Sequence, residues 1–94
     1  MTMHGNKTYQ VEYLISVVKD DIPLLPKRIK ATIKKAIEER LMSNPIAFGK
    51  PLQYSLKGHR RLRVGNYRII YRIDYPKKIV TIVAIDHRKN IYDE

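Results

Sequence analysis

The stretch Ile79-Val-Thr-Ile-Val-Ala-Ile85 is an almost unbroken apolar run, dominated by β-branched residues. Such side chains lose rotamer freedom in a helix and pack well on a pleated surface, so the run predicts a β-strand. It is too short for a membrane helix, which needs about 20 apolar residues. Because both faces of this strand are apolar, it belongs in the interior of a sheet and is expected to be buried on both sides. The rest of the chain must supply that sheet and its cover.

Two periodicities indicate how. The residues Leu25, Ile29, Ile33, Ala36, Ile37 and Leu41 form one stripe at helical spacing, with Lys27, Arg28, Lys30, Lys34, Lys35, Glu38 and Glu39 on the opposite face. Pro26 suits a first helical turn, and Ser43-Asn44-Pro45 ends the helix because the residue before proline avoids helical conformation. Elsewhere the period is two. Tyr9, Val11 and Tyr13 alternate with polar neighbours, which predicts a first strand over residues 7–18. Asp20-Asp21-Ile-Pro then reads as a turn or a short helical segment. Tyr67, Ile69, Tyr71 and Ile73 alternate in a strand over 67–74, joined to another over 60–64 by the tight reversal Gly65-Asn66. Residues 46–51 read as a connecting loop and 52–56 as an extended segment. The predicted fold is α+β: a small antiparallel β-sheet of about four strands, with one or two N-terminal helices packed on one face and the other face open. Ninety-four residues suffice for one domain, 1–94, with a single core.

Charge narrows the partners. The formal net charge is +10, and the segment between Glu39 and Asp74 has no acidic residue, although it holds eight Lys or Arg. A domain this basic is drawn to nucleic acid, an acidic protein or an anionic surface. Arg61 and Arg63 are two apart, so a strand presents both on one face, where guanidinium forks bind phosphate bidentately and stay charged. The absence of cysteine excludes a disulfide framework and a thiolate zinc site. His4, His59 and His87 are isolated, and no spacing suggests a metal or a cofactor. With no apolar leader at the N-terminus and no membrane-length run, a cytoplasmic protein is expected.

The arginine segment contains no carboxylate pair, no phosphate-cradling glycine loop and no nucleophile triad. One reaction tolerates that. RNA is cleaved by its own 2′-hydroxyl when the hydroxyl is aligned, the charged phosphorane is stabilised and the leaving 5′-oxygen receives a proton. Fixed guanidinium groups meet the second need, and positioning on a macromolecular template meets much of the first.

The segment Arg61-Leu-Arg-Val-Gly-Asn-Tyr-Arg-Ile-Ile-Tyr71, followed by the apolar strand and then His87-Arg-Lys-Asn-Ile-Tyr92, resembles the RelE/ParE superfamily of toxins from type II toxin–antitoxin modules. The preceding strand and helix fit its layout, so the resemblance spans nearly the whole chain. For the RelE-like branch it implies a metal-independent, ribosome-dependent mRNA endoribonuclease that inhibits translation and is neutralised by a cognate antitoxin. Carried over residue by residue, Arg61 and Arg63 match the basic residues on the strand before the Tyr-Arg motif. Arg68 matches the arginine that holds the scissile phosphate, and Arg88 the one that stabilises the transition state or protonates the leaving group. Tyr92 matches the terminal tyrosine that stacks on a base. Lys57, Arg60 and Arg72 are added as RNA contacts, and the helix lysines as a solvated or ribosomal-RNA-facing surface. Some relatives carry lysine where this chain has Arg61 and Arg63, and arginine does not give up its proton. Either Arg63 only stabilises charge or the base lies elsewhere, with His87 the candidate because imidazole titrates near neutrality. Two alternatives stay open: a ParE-like inhibitor of DNA gyrase, and a non-catalytic basic binding module.

Overall fold

In a computed structural model, residues 8–90 are described. Their sheet has five strands: β1 (Gln10–Tyr13), β2 (Lys50–Pro51), β3 (Arg60–Val64), β4 (Tyr67–Asp74) and β5 (Ile79–His87), in the order β1-β5-β4-β3-β2. β2 to β5 pair antiparallel, as hairpin-length connections dictate, whereas β1 runs parallel to β5, with Val11 opposite Val80 and Tyr13 opposite Ile82. The sheet is therefore mixed. Parallel pairing requires a crossover, and the helical segments between β1 and β2 provide it.

The helix α1 (Lys27–Ala36) continues into a wider π-type turn, Ile37–Leu41. Its stripe is buried as the spacing predicts: Leu25, Ile33, Ala36, Ile37 and Leu41 join Leu62, Ile69, Tyr71, Val80, Ile82 and Ile85 in one core cluster. All the helical residues in that cluster meet a single face of the sheet.

Three local expectations change. Strand β1 stops at Tyr13 instead of running to Val18, because the chain leaves the ladder there: Leu14 N makes a last bond to Ile82 O (3.1 Å), and Val17 N turns back to Leu14 O (3.0 Å). The next residues form a π-type turn, Val17–Asp21, and a 3₁₀ turn, Ile22–Leu24, which bury Val17 despite its strand-like surroundings. Residues 45–48, read as loop, form a short helix α2 (Pro45–Phe48), with Asn44 Oδ1 accepting from Ala47 N at 3.2 Å. The extended segment expected over 52–56 is a 3₁₀ turn, Tyr54–Leu56, and the strand comes earlier, as β2. β5 is an interior strand, but only its helix-side residues Val80, Ile82 and Ile85 are fully buried; Thr81, Val83 and Ala84 are half-buried.

The α2 segment is held onto the sheet by two side chains. Arg60 Nη2 donates to Ile46 O (2.6 Å) and Gly49 O (2.8 Å), and the buried Tyr71 hydroxyl donates to Pro45 O (2.6 Å). Gly49 is required for this approach, since a Cβ there would fall on the Tyr71 hydroxyl. Burial, above all, pushes the Tyr71 phenol above its ordinary pKa.

Candidate nucleic-acid interface

Cross-strand register sorts the basic side chains. On β4, Tyr67, Ile69, Tyr71 and Ile73 belong with the helix-covered core, so Arg68, Ile70 and Arg72 face the other way. Arg63 is paired directly with Arg68, and Arg61 with Ile70, which places Arg61, Arg63 and Arg68 together on the open face. Lys50 on β2 stands opposite Arg61 and extends this row. Directly opposed side chains have Cβ atoms about 4.5–5.5 Å apart, and like charges so placed repel. The Arg63–Arg68 pair is thus a concentrated positive site, the more so because Arg68 is only 7% exposed. Ile70 is also buried here (3% exposed) although it is not part of the helix-side core. Long arginine stems cover apolar surface in this way.

A β-bulge decides what β5 adds. Ile70 pairs with Ala84 but Tyr71 with Ile82, so Val83 is the extra residue and the alternation of β5 inverts. Ile82 and Ile85 consequently both face the core, and beyond the bulge Asp86 falls on the open face, directly opposite Arg68. His87 falls on the helix side, where its ring meets Tyr67 edge-on with centroids 5.3 Å apart. His87 Nδ1 accepts from Lys89 N at 3.3 Å. The histidine and the arginines are therefore on opposite faces at one end of the sheet.

The same end gathers Arg88. Its backbone N–H donates to Asn66 O (2.7 Å), tying the short turn Arg88–Asn90 to the tip of the β3–β4 hairpin. Gly65 at that tip has φ 59°, the left-handed conformation that glycine adopts without penalty. Asp86 Oδ1 accepts from His87 N (2.7 Å) and Asn90 Nδ2 (3.0 Å), closing the turn from the other side. Arg88 is exposed, on a turn whose backbone is tied to the hairpin tip next to Arg63 and Arg68.

The remaining predicted contacts separate. Arg72 shares the open face but is four residues from Arg68 along β4, roughly 13 Å away, opposite Thr81. Lys57 is exposed in the loop before β3, at the far end from Arg63. Arg60, read as an RNA contact, has the opposite parity: it belongs to the helix side, and one of its terminal nitrogens is committed to two carbonyls. Tyr92 lies outside the described residues. Asp86 is a residue that the sequence does not single out, because with the bulge unseen strict alternation turns it to the core.

An apolar groove of about 440 Å³ lies on the helix side, lined by Val11, Tyr13, Ile22, Ile33 and Ile37 with Lys30, Lys34 and Glu38 among its charged residues. Among the described residues no cluster of His, Cys, Asp and Glu is suited to a metal, and no helix is long and apolar enough to cross a membrane.

Comparison with known proteins agrees with this architecture. The family described as the ParE toxin of the type II toxin–antitoxin system parDE matches residues 11–92. The chain is 38% identical over 77 residues to toxin RelG of Mycobacterium tuberculosis, covering 82% of this chain and 88% of that protein. It is 32% identical over 90 residues to toxin RelE of the same organism, covering 96% and 92%. A solved toxin–antitoxin complex, RelBE2 of M. tuberculosis, contains a chain that superimposes with a TM-score of 0.80 at 36% identity, covering 86% of this chain and 99% of that one. The chain belongs to the RelE/ParE family of type II toxin–antitoxin toxins.

Proposed function

We propose that this protein cleaves mRNA in the translating ribosome, by attack of a 2′-hydroxyl on the adjacent phosphate. The observation that carries the reading is the pairing of Arg63 with Arg68 on the face that no helix covers. Two guanidinium forks side by side suit an anion, and a phosphorane with two charged oxygens fits them. Arg61 and Lys50 extend the track for the RNA backbone, and Arg72 continues it along β4. Arg68 holds the scissile phosphate, Arg88 stabilises the charge that develops on it, and Tyr92 stacks on a base. The guanidinium groups supply the charge that a metal supplies elsewhere, so the reaction is drawn without one. Arg60 is left out, because the α2 segment occupies it.

The similar chain in the RelBE2 complex of M. tuberculosis was solved with an antitoxin, which supports a cognate antitoxin as the second partner. With a net charge of +10, the complementary partner is acidic, and an amphipathic segment of it suits the groove that carries Lys30 and Lys34.

The test is induction in bacterial cells, wild type beside Arg68→Ala and Arg88→Ala, with new 5′ ends mapped on translated mRNA. Cleavage inside reading frames, lost in both variants, is expected. The match to the ParE family favours one second reading, inhibition of DNA gyrase. Toxicity without cleavage, together with blocked supercoiling by the purified protein, would select it.

A further inference from the structure

Cleavage by a 2′-hydroxyl needs a proton acceptor, and a guanidinium does not serve at any working pH. The open face holds few alternatives. Its side chains fall in cross-strand rows: Gln10–Ile79–Asp74, Glu12–Thr81–Arg72, Lys50–Arg61–Ile70–Ala84 and Arg63–Arg68–Asp86. Lys50 lies on the edge strand β2, two strands from β4 and one row away from Arg68, about 10 Å or further at ~4.8 Å between neighbouring strands. Glu12 and Asp74 lie in rows four or more residues from Arg68 along β4, about 13 Å or further at ~3.3 Å per residue. The His87 ring is turned to the opposite face, against Tyr67. Asp86 alone among the described carboxylates shares a row with the arginine pair.

Resting on the cleavage reading, we infer that Asp86 is the base that takes the 2′-hydroxyl proton. The bulge at Val83 is what brings it to the arginines, and bulges beside functional sites commonly re-aim a side chain in this way. The carboxylate is held, half-buried, by two donors on one oxygen: His87 N at 2.7 Å and Asn90 Nδ2 at 3.0 Å, both to Oδ1. That anchoring fixes its plane, and Oδ2 is the oxygen assigned to proton transfer. The charged neighbours are Arg68 on β4 and Arg63 beyond it on β3, Arg88 and Lys89 on the following turn, and His87 beside it. Past the outer edge of β5 stand Asp20 and Asp21, and Asp21 Oδ2 accepts from Ile85 N at 2.9 Å.

In the step itself, Oδ2 takes the proton while a lone pair of the 2′-oxygen forms a bond to phosphorus. The bond from phosphorus to the 5′-oxygen breaks, and that oxygen leaves with the electron pair and takes a proton from water. The hydroxide so formed removes the proton from Asp86. The products are a 2′,3′-cyclic phosphate and a 5′-hydroxyl, and the enzyme is restored.

Asp86→Asn separates chemistry from structure, because the amide oxygen still accepts from His87 N and Asn90 while the side chain no longer takes a proton. The measurement is single-turnover cleavage of ribosome-bound mRNA across a pH series, with ribosome affinity determined in parallel. Removal of a general base is expected to slow cleavage about 10²–10⁴-fold. Affinity should be unchanged, and the rise of the wild-type rate with pH on the acid side should vanish in the variant. Wild-type rate and an intact acid limb in Asp86→Asn would overturn the assignment while leaving cleavage standing. Slow cleavage accompanied by an equal loss of affinity would overturn it too, making Asp86 a structural anchor. A wild type that cleaves nothing would remove the assignment and the cleavage reading together.

Discussion

Arg60 and Arg61 are neighbours in the chain and opposites in the molecule. Arg60 faces the helices and spends Nη2 on two backbone carbonyls, fastening the α2 segment to the sheet. Arg61 faces away, beside Arg63 and Arg68, in a row with Lys50. The same side chain thus contributes packing on one face and electrostatic potential on the other, and a shift of one residue in parity separates them. The helix-side face is built to be satisfied by the protein itself. The open face gathers the arginines to which the proposed function assigns the RNA.

That contrast can be broken at several points. The largest expected effect is on activity: Arg68→Ala should lower mRNA cleavage about 10²–10³-fold, as loss of one preorganised charge donor does. Primer extension on translated mRNA measures it, and a variant that cleaves normally would empty the open face of its proposed role. Next is stability on the other face. Arg60→Ala removes charge-assisted bonds to two carbonyls and should cost about 1.5–3 kcal/mol in urea unfolding. Gly49→Ala forces its new methyl onto the Tyr71 hydroxyl and should cost about 1–3 kcal/mol by the same measurement. Arg61→Ala is the counterpart of Arg60→Ala. It should cost less stability than Arg60→Ala but weaken binding to single-stranded RNA and reduce the salt slope by about 0.7. If Arg60→Ala changed the salt slope and Arg61→Ala did not, the assignment of faces would be wrong.

The smallest effect is a pH dependence. Burial, as the largest cause, holds the phenols of Tyr71 and Tyr13 above their ordinary pKa, with Glu38 adding to the effect at Tyr13. The folded state therefore keeps the neutral phenol more strongly than the unfolded state does. The stability this provides is complete below the ordinary value of 10.0 and is lost as pH rises through the higher folded values. Melting temperature should fall more steeply above about pH 10 in the wild type than in Tyr71→Phe.

Much of this was readable from residue order. β3 and β4 have the bounds expected of them, because Gly65-Asn66 sits between two runs of clean alternation. The parity of Arg60 was readable as well, since it shares a phase with the buried Leu62. What escaped depends on long-range geometry. The β-branched residues after Tyr13 look like strand, yet they turn helical because the sheet edge ends for them at Ile82. The bulge in β5 leaves no mark in a run where every residue is apolar or β-branched, so which of Asp86 and His87 would face the arginines was hidden. The pairing of the first strand with the last was hidden for the same reason: nothing local specifies it.

That last pairing bears on how the molecule comes into being. β1 is held by residues 79–82, so the edge of β4 and the whole of β1 lack a partner until the final strand exists. During synthesis the chain emerges from its N-terminus, and contacts this distant in sequence close late. The arginine pair of β3 and β4 can form as a hairpin beforehand, but Asp86 and Arg88 arrive on the segment that completes the sheet. A chain halted before Ile79 has neither a finished core nor Asp86, which stands opposite Arg68. In this protein the completion of the fold and the assembly of the proposed site are one event.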